Sequence, residues 1–351
     1  MKKYYTRACN FYYNRTSIEK VKKKISLPVS GNKSLSFDTI EIITRSNKNK
    51  INIRNIKNLP PKIKKKVLID INNISKVKKI PKLKFDNLPI LMGVLNITPD
   101  SFSDGGKFNK KISAIKQINK LISDGAKIID VGGESTRPGS KEILQTEEWL
   151  RVNKVMNYLK SKSFFISLDT RKSFVMKKAS KYKVDLINDV SGLSFDKETI
   201  DFLKKSKLPF VLHHMKGNTE TMQKNPRYNN VLLDIYDYFE DKLRLIRKSG
   251  IKHNHIILDP GVGFGKNMKH NITLINNVSI FHSLGLPVML GISRKRFIKD
   301  ISGNNDSKER IGGTVSSSIF SMLQGVQILR VHDVNEVNQG IKVFKKLIFN
   351  K

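Results

Sequence analysis

From Ile90 onward the chain alternates short apolar, β-branched runs with longer stretches of helical period, and does so eight times. The runs are Ile90–Ile97, Lys127–Val131, Phe165–Asp169, Leu186–Val190, Phe210–Met215, His255–Asp259, Val288–Ser293 and Ile328–Asp333. A short buried strand succeeded by a helix is a βα unit, and consecutive βα units build a parallel sheet. Residues 89–351 number 263, close to the roughly 250 typical of a (β/α)8 barrel. The expected class is therefore α/β, a TIM-type barrel, with an open doubly wound sheet as the competing architecture.

The C-terminal ends of the runs decide between the two. Nearly every run ends in polar residues: Asn96, Gly133-Glu134-Ser135-Thr136-Arg137, Asp169, Asn188-Asp189, His213-His214, Asp259, Ser293-Arg294-Lys295, and Arg330 with His332. Taken singly, an Asp or Asn after a strand is most often the N-cap of the next helix. That reading does not account for eight ends that together carry carboxylates, amides and a Lys/Arg/His set. In a barrel all eight strand ends converge on one face, where active sites sit.

The same blocks carry a family resemblance. Leu95-Asn96-Ile97-Thr98-Pro99-Asp100-Ser101-Phe102-Ser103-Asp104-Gly105-Gly106 and Ile129-Asp130-Val131-Gly132-Gly133-Glu134-Ser135-Thr136-Arg137-Pro138-Gly139 resemble the two hallmark segments of dihydropteroate synthases. Leu168-Asp169-Thr170, Ile187-Asn188-Asp189, His214-Met215-Lys216-Gly217-Asn218, Leu258-Asp259-Pro260-Gly261-Val262-Gly263-Phe264-Gly265-Lys266, Ser293-Arg294-Lys295 and Arg330-Val331-His332-Asp333 come next, in the family's order. Any one block is moderately specific, whereas the ordered set over 90–351 is very specific.

The resemblance implies condensation of 6-hydroxymethyl-7,8-dihydropterin pyrophosphate with p-aminobenzoate, giving 7,8-dihydropteroate and pyrophosphate. It implies C–O cleavage before the amine attacks, and no strong general base for early deprotonation of the amine is evident. A pterin needs carboxylates and amides along its ring edge, which Asp169, Asn188 and Asp259 supply, Asp259 with two acceptor oxygens for a guanidine-like edge. Met215 and Phe264 are expected against the ring faces, and Lys295 at ring polar atoms. Mg²⁺ is the implied ion, with Asn96 as its protein ligand, and Arg330 and His332, two apart on one strand, are expected to grip the pyrophosphate. The implied catalytic set is thus Asn96, Lys295, Arg330 and His332. For p-aminobenzoate the expected residues are Phe102 on one loop, Thr136, Arg137 and Pro138 on another, and Ser293 at the helix start after the seventh strand. Flanking glycines permit those loops to hinge. Arg294 is expected to shape its turn instead of touching substrate.

Residues 1–88 differ in character. They hold 23 Lys/Arg against 5 Asp/Glu, half of the chain's formal excess of +36. Alternation over Asp38–Ile43 predicts a strand, and the Lys-Ile-Pro repeats near Pro81 an irregular tether, so 1–88 is read as a small basic extension and linker without an evident role. A basic balance admits nucleic acid or an anionic membrane. The Lys64-Lys65-Lys66 run has no interleaved aromatic residues of the kind a stacking platform needs, and a drift toward Lys on solvated faces explains the excess better. No run of about 18 apolar residues appears, the start lacks a signal peptide, and Cys9 alone forms neither a disulfide nor a cysteine metal cage. Two small-molecule substrates in a cytoplasmic setting, without nucleic acid or membrane, are expected. The apolar stripe of Val334–Phe349 fits either a homodimer face or ordinary packing on the barrel.

Two signals carry less than they suggest. Gly261-Val262-Gly263-Phe264-Gly265-Lys266 lacks the ending and spacing of nucleotide-binding loops. Adjacent strand residues point to opposite faces, so one of His213 and His214 is structural, and His253 and His255 precede the sixth strand on the far face. The alternatives are a pterin-dependent methyltransferase barrel, which needs neither the Asn96, Arg330, His332 grip nor the Thr136-Arg137-Pro138 loop, and a basic nucleic-acid or membrane-surface binder acting through 1–88.

Overall fold

A computed structural model describes residues 3–85, 88–98, 107–137 and 139–349. The N-terminal part comprises β1 (Tyr5–Tyr13), α1 (Asn14–Lys22), β2 (Leu27–Val29), β3 (Asn32–Ile43), β4 (Lys48–Asn52) and α2 (Pro61–Ser75). The barrel runs β5 (Ile90–Asn96), α3 (Lys107–Ser123), β6 (Ile128–Gly132), α4 (Gln145–Lys160), β7 (Phe165–Asp169), α5 (Ser173–Ala179), β8 (Leu186–Asp189) and α6 (Thr199–Ser206). It continues β9 (Phe210–His213), α7 (Val231–Lys248), β10 (Ile256–Asp259), α8 (Met268–Asn276), β11 (Met289–Gly291), α9 (Arg296–Ser302), α10 (Ile311–Leu323), β12 (Ile328–Val331) and α11 (Val334–Phe349). Each expected run yields one strand, Phe165–Asp169 with the expected bounds and the others displaced by one or two residues at one or both ends.

The barrel strands pair in parallel in the order β10-β9-β8-β7-β6-β5-β12-β11. Leu258 of β10 bridges in parallel to Val288, just ahead of β11, so the sheet closes on itself. This is the (β/α)8 barrel, not the open sheet. Alternation then sorts the side chains: Ile129 and Val131 of β6 join the core beneath the surrounding helices, while Ile128 joins a separate cluster inside the barrel. That inner cluster takes residues from near the start of every strand: Ile90 and Met92 of β5, then Ile128, Phe165, Leu186, Val211, Ile257, Met289 and Ile328. Two positions further along, the same inward face carries Asp130, Ser167, Asn188, His213, Asp259 and Arg330, with Val94 and Gly291 on the other two strands.

The apolar inner layer needs a cover at the barrel's N-terminal end. Ile80, Leu83, Phe85 and Leu88 pack against it. The segment expected as a tether is irregular in backbone but closes the barrel bottom, because the strand starts would otherwise face water. Ahead of it, β3 carries the expected strand Asp38–Ile43 and pairs antiparallel with β1 on one side and with β2 and β4 on the other. One sheet face is covered by Val67, Ile71 and Ile74 of α2. The extension is seated on the barrel wall: β1 packs along a 3-10 helix, Val278–Leu284, and Ser279 Oγ donates to Ala8 O at 3.0 Å. Tyr5 is fully buried, edge-on to Tyr236 at 5.2 Å, with its hydroxyl donating to Asp237 at 2.9 Å. On α11, Val334, Val337 and Ile341 pack on the barrel while Val343 and Leu347 are exposed. No helix among the described residues is long and apolar enough to cross a membrane.

Candidate active site

The polar inner layer lies at the C-terminal mouth of the barrel. Arg330 of β12 reaches across it: Nε donates to Asp130 Oδ2 at 2.6 Å and Nη2 to Asp169 Oδ2 at 2.7 Å. Asn188 Nδ2 donates to the same Asp130 oxygen at 3.0 Å. These contacts leave Asp130 Oδ1, Asp169 Oδ1 and Asn188 Oδ1 buried without a hydrogen-bond partner among the described residues. A buried acceptor left unpaired costs about 1–3 kcal/mol, so three in one cluster call for donors from outside the protein.

Above this layer a cleft is lined by Asn188, His213, Asp259, Phe264, Gly291, Lys295 and Arg330, with Val190, Gly261 and Val262. Asp259 accepts Gly261 N–H at 2.8 Å through Oδ1. Burial pushes its pKa up to about 6 against the pull of that N–H, Lys295 and Arg330. Burial likewise raises Asp169, opposed by Arg330 and reinforced by Asp130. Lys295 is lowered to about 8 by burial and then by Arg330, with Asp259 acting the other way. Its Nζ stands 4.1 Å over the Phe264 ring, and His213 meets that ring edge-on at 4.6 Å.

The turn after β10 brings Phe264 there. Gly261 has φ +68°, and a Cβ on it would lie 2.0 Å from His214 O, so only glycine fits. The fully buried Lys266 ties the turn down, donating to Gly261 O and Phe264 O at 2.8 Å and lying 3.0 Å from His214 Nδ1. The two histidines divide as strand alternation requires: His213 faces the cleft, and His214 turns toward Lys266 and Tyr238.

On the rim, His332 and Ser293 form a pair, with His332 Nδ1 3.1 Å from Ser293 Oγ and the His332 N–H donating to that oxygen at 3.2 Å. Burial, then Arg330, lowers His332 to about 3, so its ring is neutral at ordinary pH. Arg294, in a left-handed conformation, holds Asp333 with Nε and Nη2 and stays with its turn. Asn96 ends β5; a Cβ placed on Gly132 would stand 3.7 Å from Asn96 Oδ1 and 3.6 Å from Asp169 Oδ2, so the two side chains flank one glycine. Arg137 is exposed, Thr136 is half-buried, and the loop bearing them is closed by Ser140 Oγ donating to Ser135 O and Arg137 O.

Of the residues expected at the site, Asn188, Asp259, Phe264, Lys295 and Arg330 meet in the cleft, with Asp169 bonded to Arg330. Met215 is half-buried past the end of β9 and is not among the residues lining that cleft. Arg330, expected at the pyrophosphate, is bonded to two carboxylates of the inner layer, Asp130 and Asp169. Phe102 and Pro138, with Pro99, Asp100 and Ser101, lie outside the described residues. Sequence reasoning missed Asp130. It sits in mid-strand and not at a strand end, and its signal is a carboxylate between Ile129 and Val131 in an otherwise apolar strand.

Comparison with known proteins agrees with this geometry. Residues 92–332 match the family described as pterin binding enzyme. The chain is 40% identical to dihydropteroate synthase of Escherichia coli K12 over 264 residues, covering 75% of this chain and 93% of that protein. It is 39% identical to that of Synechocystis over 254 residues, covering 72% and 88%. A crystal structure of Yersinia pestis dihydropteroate synthase in a sulfonamide drug complex superposes with a TM-score of 0.71 at 36% identity, covering 76% of this chain and 96% of that one. One from Xanthomonas albilineans with 4-aminobenzoic acid gives 0.71 at 33% identity, covering 76% and 94%. The chain belongs to the dihydropteroate synthases, a family of pterin-binding transferases built on a TIM barrel.

Proposed function

We propose that the protein joins 6-hydroxymethyl-7,8-dihydropterin pyrophosphate to p-aminobenzoate, forming 7,8-dihydropteroate and releasing pyrophosphate. The observation that carries this reading is the set of unpaired acceptors, Asp130 Oδ1, Asp169 Oδ1 and Asn188 Oδ1, beside the Asp259 carboxylate. A dihydropterin offers ring N–H groups and an exocyclic amino group along one edge, the donors such a cluster lacks. Lys295 supplies a donor for ring acceptor atoms, and Phe264 with His213 supplies apolar and edge contacts.

In this scheme the C–O bond to the pyrophosphate breaks, a C–N bond to the arylamine forms, and the amine gives up a proton to water. Arg330, held flat by Asp130 and Asp169, and His332, oriented by Ser293, face the leaving group. Fixed donors of this kind stabilise charge as it develops on the bridging oxygen. If the Ser293 hydroxyl donates to Nδ1, the imidazole proton lies on Nε2, where a neutral ring still donates. Among the described residues no group of three or more His, Cys, Asp or Glu could hold a metal. A lone amide oxygen, Asn96 Oδ1, fits Mg²⁺ arriving on the pyrophosphate, since this ion keeps waters and substrate phosphates in its shell. Mg²⁺ so bound would withdraw charge from the leaving group. We place p-aminobenzoate between Ser293 and the loop bearing Thr136 and Arg137, whose exposed guanidinium suits a carboxylate.

Calorimetry with 6-hydroxymethyl-7,8-dihydropterin tests the reading at the ring pocket. Saturable binding abolished in Asp259→Ala is expected, and absence of binding to the unaltered protein would refute it.

A further inference from the structure

Arg171 and Lys172 come directly after the strand-end pair Asp169-Thr170 and resemble, in sequence, any exposed basic pair. Both are buried, as are Glu134 and Glu148. Lys172 Nζ donates to Glu134 Oε1 at 2.9 Å, Glu148 Oε2 at 2.9 Å and Ile143 O at 2.7 Å, which uses all three ammonium protons. Glu134 Oε1 also accepts Ile143 N–H at 3.0 Å, and its Oε2 accepts Arg171 Nε at 3.1 Å. Both backbone groups of Ile143 are thereby held by charged side chains. Burial alone would raise the Glu134 carboxyl, but the bonds from Lys172, Ile143 and Arg171 hold it below the usual range.

The other end of the same loop is also pinned. Arg151 Nη1 donates to Gly133 O at 3.0 Å, and a Cβ on Gly133 would lie 2.8 Å from Glu148 O, so the loop's start is pressed onto α4. Between Gly133 and Ile143 lie Thr136 and Arg137. Buried ion clusters are a poor means of adding stability, because desolvation offsets much of their attraction, but they fix geometry through directional bonds.

We propose that Lys172 and Glu134 are positioning residues: a buried clamp that anchors the exit of this loop to the end of β7 and so sets Thr136 and Arg137 against the acceptor. The clamp rests on the acceptor site proposed above. It also links that site to the pterin pocket, since Asp169 ends the strand from which Lys172 extends.

The test compares full-length protein with Lys172→Met, Lys172→Arg and Glu134→Gln. Steady-state constants for each substrate, pterin affinity, thermal unfolding and tryptic cleavage after the exposed Lys141 of the loop are measured. Lys172→Met and Glu134→Gln should raise KM for p-aminobenzoate about tenfold, the worth of a displaced charge-assisted bond, with 6-hydroxymethyl-7,8-dihydropterin affinity changed less than about twofold. Cleavage after Lys141 should accelerate, and Lys172→Arg should recover part of both effects. Equal losses for the two substrates, or a lowered melting temperature with unchanged kinetics and cleavage, would overturn the clamp. If Lys172→Met does not fold, the near-isosteric Glu134→Gln decides. If the unaltered protein makes no dihydropteroate, the functional reading fails, and the cleavage rates alone then judge the clamp.

Discussion

Arg330 Nε and Asp130 Oδ2 meet at 2.6 Å across the barrel mouth, on two strands that flank β5. The bond leaves the second Asp130 oxygen buried without a partner among the described residues. Asp130→Ala removes one of the two carboxylate partners of the largely buried Arg330 and should lower stability by about 1–3 kcal/mol, read from urea unfolding. Asp130→Asn keeps an acceptor, so it should fold, yet weaken pterin binding. Unchanged pterin affinity in Asp130→Asn would show that the residue serves only the fold.

If Asp259 and Lys295 hold the pterin as proposed, they should set the pH window of its binding. With the Asp259 carboxyl raised to about 6, affinity should rise about fivefold on going from pH 5 to 6, as the carboxylate forms. It should level, then fall as Lys295 deprotonates near pH 8. Stability moves oppositely at Asp259. A carboxyl raised above its unfolded value of 3.8 contributes stability that is present below that value and lost as pH rises through about 6. Calorimetry across this range checks both limbs, and Asp259→Asn should flatten the acid one.

His332 and Ser293 should act as a unit. His332→Ala is expected to reduce turnover about 10²–10³-fold, as for loss of one preorganised donor. Ser293→Ala should reduce it less, and the double variant should be little worse than His332→Ala alone, giving a coupling of about 0.5–3 kcal/mol. Strict additivity in this cycle would separate the two residues.

The seam between extension and barrel should melt with the barrel. Tyr5→Ala empties a fully buried ring site and should cost about 3–5 kcal/mol, in one cooperative transition, with pterin affinity preserved. Two resolved transitions would mean that the extension folds apart from the barrel. Deleting 1–88 removes Ile80, Leu83, Phe85 and Leu88 from the barrel bottom and should be more damaging than deleting 1–75.

The barrel was legible because its strands are short β-branched runs between helical stretches, and their polar ends announce a common mouth. Asp259, Lys295 and Arg330 were legible for that reason. The burial of Lys172 with Glu134 was not, although Glu134 stands among the polar strand ends, since burial of a charge is decided by what folds over it, here α4 and the backbone at Ile143. Nor was the cover formed by Ile80 and Phe85: their Lys- and Pro-rich surroundings suggest a solvated tether, and only the apolar strand starts show what those side chains meet. Met215, expected at the ring, lies half-buried two residues past the end of β9 and is not among the residues that line the cleft.

The most direct test is product analysis. Purified protein is incubated with 6-hydroxymethyl-7,8-dihydropterin pyrophosphate, p-aminobenzoate and Mg²⁺, and 7,8-dihydropteroate is measured by mass spectrometry alongside pyrophosphate. Equal amounts of both products, only when both substrates are present, are predicted. Pterin bound with no dihydropteroate formed would contradict the assignment.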